Sequence, residues 1–293
     1  MRSKTVIAPF ILSLAVLPVA FALLMSLYGS ASGDSVTLGI FGATVLVEAV
    51  ALVQVVRVRR LFSRGDFGYL TWSLIMSFLI VRLIAEVRLT TINFQLVPRY
   101  SEGGSEALFF YIIVLRYLYT VSDILFIAAL ASTIRAYRST GLKFELLARD
   151  YLYMLLVWVM PGLTYLFHDN LMYSNTAGAD KYIVTFRLVT VSVGALIASL
   201  CLAVRRYVLQ MGGGAVARVW TMVVMAGIAR DASFLALALL SGRWRTSAAF
   251  TEQYLLWIFS CCWLMAALFQ LEVLPRASRE PVVSAAAESK AIG

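Results

Sequence analysis

Eight predominantly apolar stretches follow one another along the chain, at 5–28, 36–57, 68–92, 108–135, 148–169, 182–204, 216–240 and 254–274. A helix rises 1.5 Å per residue, so about 20 apolar residues cross the hydrocarbon core of a bilayer. Inside that core every backbone N–H and C=O must find its partner within the protein, and only helices and closed barrels achieve this. Runs of this length without strand alternation therefore predict helices. The expected fold is all-α, a polytopic integral membrane bundle of about eight transmembrane helices.

Composition agrees. Of 293 residues, 61% are hydrophobic and 14% charged, with a mean hydropathy of +0.85. A soluble chain carries about 25% charged residues. This much apolar surface needs lipid to cover it.

The net charge of +9 invites a nucleic-acid reading, but the location of the charges argues against it. Four basic residues are lysines (Lys4, Lys143, Lys181 and Lys290), and the other 21 are arginines, mostly in short links. Arg57, Arg59, Arg60 and Arg64 follow the second run, and Arg135, Arg138, Lys143 and Arg149 flank the link after the fourth. Arg205, Arg206 and Arg218 flank the link after the sixth. The alternate links are poorer in Arg and Lys, the last of them (Arg243, Arg245) excepted. Cytoplasmic loops retain Lys and Arg, so both termini are expected in the cytoplasm. The expected location is a cell membrane, and the preference for Arg over Lys fits a bacterial inner membrane. The expected partners are the lipid bilayer and a protein within it, with no nucleic acid.

The first run has a rival reading. Arg2 and Lys4, an apolar stretch and then Gly29-Ser30-Ala31-Ser32 resemble the layout of a signal peptide. The apolar part, Val6 to Tyr28, exceeds the 7–15 residues of a normal signal core. The retained span is the expectation.

The chain also reads as duplicated. Val58-Arg59-Arg60 in the second run matches Val204-Arg205-Arg206 in the sixth. Trp72 precedes Arg82 by ten residues, as Trp220 precedes Arg230. Ala128-Ala129-Leu130 matches Ala266-Ala267-Leu268. Four helices is an even number, so both copies enter the membrane in the same sense. The expectation is two parallel four-helix repeats, 1–137 and 138–275, followed by a disordered cytoplasmic tail, 276–293.

Ionisable groups within a bilayer cost about 2.5–3.5 kcal/mol each on insertion scales, so each needs a reason. Five fall within the first repeat: Glu48, Arg82, Glu86, Arg116 and Asp123. Arg82 and Glu86 are four apart and share a helical face. Aligned on the repeat, Glu48 maps to Gly194 and Asp123 to Cys261, whereas Arg82 keeps its type as Arg230, now beside Asp231. The five form the candidate ligand-binding set, with Arg230 and Asp231 secondary. Two plainer explanations compete with a site: paired charges can fix helix packing, and charges near a helix end can snorkel to the interface, as expected for Arg88 and Arg187.

Several chemistries are excluded. His168 is the single histidine, so bis-histidine haem and multi-histidine zinc sites have no ligands. Gly212-Gly213-Gly214 lacks the strand before and the Gly-Lys-Ser/Thr after that a phosphate loop needs. No catalytic residue, cofactor or metal is expected. The expected function is non-enzymatic: a sensor-like, scaffolding or accessory membrane subunit. The alternative is a small-solute transporter or ligand-binding protein that uses the charge cluster.

Overall fold

The computed structural model describes residues 33–96, 105–139, 141, 145–166, 179–210, 214–240 and 245–277. Within them the regular structure is all α-helix: α1 (Gly33–Arg60), α2 (Phe67–Leu96), α3 (Ser105–Ser139), α4 (Ala148–Leu166), α5 (Ala179–Gln210), α6 (Gly214–Leu240) and α7 (Arg245–Ala277). No strand occurs among the described residues. The 5–28 run, the tail beyond Ala277 and the side chains of Arg88 and Arg187 lie outside them.

Five segments are long and apolar enough to cross a membrane: Gly39–Arg60, Phe67–Val87, Val114–Ser139, Leu188–Gln210 and Thr251–Val273. α6 carries Arg218, Arg230 and Asp231 within its length, and α4 has Pro161 inside it. Local chemistry sets some of the helix starts. Asp150 accepts a hydrogen bond from the Leu147 N–H at 2.9 Å, satisfying a donor just before α4. Gly214 begins α6 at φ 49, a backbone state that glycine adopts without a Cβ clash.

The packing is a ring. α1 packs on α2, α2 on α3, α3 on α5, α5 on α6 and α6 on α7, and α7 closes back onto α1. α4 stands outside this ring, against α5 and α6. Its outward side exposes Leu152, Leu155, Leu156 and Val159.

Aromatic side chains fill the interior. Phe78 of α2 stacks on Phe126 of α3 with centroids 4.9 Å apart, and Trp263 of α7 meets both, at 5.3 and 5.1 Å. Such pairs contribute about 0.5–1.5 kcal/mol each beyond their area burial.

One end of the bundle gathers the arginines. Arg59 of α1 donates to the Ser73 hydroxyl of α2 at 2.8 Å and also bonds the Tyr69 hydroxyl. Arg205 of α5 donates to the Thr221 hydroxyl of α6 at 3.0 Å. Arg206 pairs with Asp150 at the start of α4. Tyr137 near the end of α3 faces Tyr207 near the end of α5, and Arg218 lies over Phe269. These contacts put the ends of α1, α3, α5 and α7 on the same side as the starts of α2, α4 and α6, an up-and-down arrangement.

Candidate functional site

Arg82 and Glu86 lie one turn apart on α2, so a single face carries both. The Arg82 Nε donates to Glu48 Oε1 at 3.0 Å, and a terminal nitrogen of its guanidinium donates to Glu86 Oε1 at 3.1 Å. Glu48 reaches the pair from α1. The Ser260 hydroxyl of α7 donates to the same Glu48 oxygen at 3.1 Å. Tyr119 of α3 hydrogen-bonds Glu86 through its hydroxyl. Aromatic faces flank the guanidinium: the Phe259 ring lies 4.1 Å from its central carbon and the Tyr119 ring 5.7 Å. Four helices therefore meet at one arginine, and Arg82 is only 3% exposed.

Charge-assisted bonds in a dry setting are short and directional. A guanidinium tolerates such a place better than an ammonium because it is less strongly hydrated and can lie against aromatic rings. Two carboxyls face one guanidinium here, so the group is a cage around a cation.

Asp123 is absent from this cage. The sequence groups it with Glu48, Arg82, Glu86 and Arg116, but the structure pairs it with Arg230 of α6 at 2.6 Å, across 107 positions of chain. The proximity of α3 to the second set of helices explains the change: α3 packs on α2 with one side and turns another toward α5. Arg116 is half-buried on α3, two turns before Asp123. The anticipated single five-residue cluster is thus divided, with Glu48, Arg82 and Glu86 in one group and Asp123 with Arg230 in another.

Asp231 follows Arg230 but turns elsewhere. Its carboxylate lies against the backbone of α5 at Gly194. A Cβ built at Gly194 would sit 1.8 Å from Asp231 Oδ1, so glycine is what admits the carboxylate there. Tyr153 of α4 and Cys201 of α5 are within electrostatic reach of it.

Phe259, Ser260, Tyr119, Tyr153 and Gly194 were not singled out by sequence reasoning as members of a site. Tyr119 had a usable signal, four residues before Asp123 and three after Arg116 on the charged side of α3. Ser260 had none, since small residues are common wherever membrane helices approach closely, and Gly194 entered only as the repeat counterpart of Glu48. No group of three or more His, Cys, Asp or Glu side chains among the described residues could hold a metal ion. No protein family, curated protein or solved structure matches this chain.

Proposed function

We propose that this chain is a non-enzymatic membrane module, a sensor-like, scaffolding or accessory subunit whose buried charges lock its helices together. The observation that carries this reading is the closure of the Arg82 cage. Its donors are directed at Glu48 and Glu86, its faces are covered by Phe259 and Tyr119, and it is shut off from the surface. A group engaged in this way holds α1, α2, α3 and α7 in register.

The test compares two variants of the full chain in detergent. Removing one member of a buried ion group typically costs 3–5 kcal/mol, while replacing the whole group by apolar residues of similar volume is far milder. Arg82→Met should therefore lose most of its monodisperse yield, and a triple change with Glu48→Leu and Glu86→Leu should recover much of it. Unchanged yield in the single variant would refute the packing role. One observation favours the alternative, a small-solute site: the second oxygen of Glu48 has no hydrogen-bond donor among the described residues.

The same reading includes eight spans, two parallel repeats of four helices and cytoplasmic termini. Support for the repeat comes from paired contacts. Arg59 with Ser73 and Arg205 with Thr221 occupy matching places under the Val-Arg-Arg and Trp registers. The packing of α1 on α7 likewise corresponds to that of α5 on α3 when the repeats are exchanged. The loop charges support the orientation. In a chain lacking its three cysteines, single cysteines at Gly141 and Val283 should be labelled only from the cytoplasmic side, and at Gly178 only from outside. Labelling of position 141 from outside reverses the topology.

A further inference from the structure

Among the described residues, the buried part of the bundle holds more acid than base. Away from the arginine-rich end, Glu48, Glu86, Asp123 and Asp231 are buried carboxyls, and Arg82 and Arg230 are the buried guanidiniums. Four fully buried acids against two fully buried bases leaves an excess of two among the described residues. Glu48 and Glu86 share Arg82, and Asp123 has Arg230. Asp231 is 1% exposed, and neither of its oxygens has a hydrogen-bond partner among the described residues. The Tyr153 hydroxyl is buried nearby and likewise finds no partner among them. Tyr153 packs with Ala195 and Ala198 of α5, next to Gly194, so the phenol and the carboxyl belong to the same α4–α5–α6 junction.

A buried carboxylate without hydrogen-bond donors has lost its hydration, and the Arg230 guanidinium beside it is already paired with Asp123. The cation that relieves it must be small, because the carboxylate packs against the α5 backbone at the Cα of Gly194. We propose that Asp231 is a proton-binding residue, whose carboxyl takes up a proton from the aqueous phase and returns it within the α4–α5–α6 junction. Uptake forms one O–H bond on an Asp231 oxygen and cancels one unit of the excess negative charge. The groups that face this carboxyl are Arg230 on α6, Asp123 on α3, Tyr153 on α4 and Cys201 on α5. This assignment goes beyond the role of the Arg82 cage and does not depend on it.

The test is a pH titration of the full chain in lipid nanodiscs, followed by infrared difference spectroscopy of the carboxylic C=O stretch. A reversible band should appear in wild type and be lost in Asp231→Asn, whereas Asp123→Asn should retain it. Tyr153→Phe and Gly194→Ala alter the surroundings of the carboxyl without removing it, and each should shift the band's frequency. They keep the question answerable if Asp231→Asn fails to fold. A band that persists in Asp231→Asn, ignores pH, or keeps its frequency in both surrounding variants overturns the proposal. So does absence of the band in wild type, and absence combined with a rise in thermal midpoint on adding sodium chloride that requires Asp231 is the more specific result. That result would make the site one for a metal cation held by an ionised carboxylate.

Discussion

Arg82 and Arg230 each follow a tryptophan by ten residues and lie in helices flanked by similar neighbours, yet they are neutralised in different ways. Arg82 takes its acids from nearby chain: Glu86 on its own helix and Glu48 on the helix before. Arg230 reaches back to Asp123 on α3. Gly194, which the expected repeat alignment sets opposite Glu48, lies instead against the Asp231 carboxylate from the next helix. The first arrangement ties α2 to α1, and the second ties α6 to α3. Similar helices thus come to hold the bundle together by different seams, one within the first set of helices and one across the ring.

The largest expected effect tests the seam across the ring. Asp123→Asn leaves the buried Arg230 without its carboxylate, a change that typically costs 3–5 kcal/mol. Glu86→Gln should cost less, because Glu48 still holds the Arg82 Nε. Thermal midpoints of the two variants in the same detergent should separate clearly. Equal midpoints would mean that the two arginines are held alike.

The next effect concerns the glycine. Gly194→Ala forces a Cβ into the Asp231 oxygen, and overpacking of this kind costs about 1–3 kcal/mol. Gly162→Ala on α4 meets nothing within 4 Å and should leave the midpoint where it is. If Gly194→Ala is equally silent, the contact between α5 and the Asp231 carboxylate is loose.

The smallest is Ser260→Ala. It removes one donor to Glu48 while Arg82 remains in place. Hydrogen bonds between membrane helices average about 0.6 kcal/mol, so the midpoint should fall only slightly. A loss as large as that of Asp123→Asn would show that α7, rather than α2, positions Glu48.

Most of the helices could be read from hydropathy because the bilayer imposes one length on every span. The apolar runs at 68–92 and 216–240 lie within α2 and α6 almost end to end. α3 and α7 extend beyond their runs, to Ser139 and back to Arg245, because a helix can continue into water once polar side chains take over. The division of the charges was harder to read. Glu86 beside Arg82 follows from helical periodicity alone. Asp123 beside Arg230 requires knowing that α3 abuts the second set of helices, and apolar faces carry no address for their partners. The place of Asp231 rested on a glycine, whose significance is visible only once another helix stands against it.

The seam between α1 and α7 has a consequence for how the protein is made. Ring closure joins α1, near the beginning, to α7, the last described helix. Ser260 and Phe259 reach Glu48 and Arg82 only across that seam. While synthesis is still upstream of residue 259, the nascent protein sits in lipid with its central cation lacking one of its two aromatic walls. The α1–α7 seam and that aromatic wall therefore form only after α7 has been made.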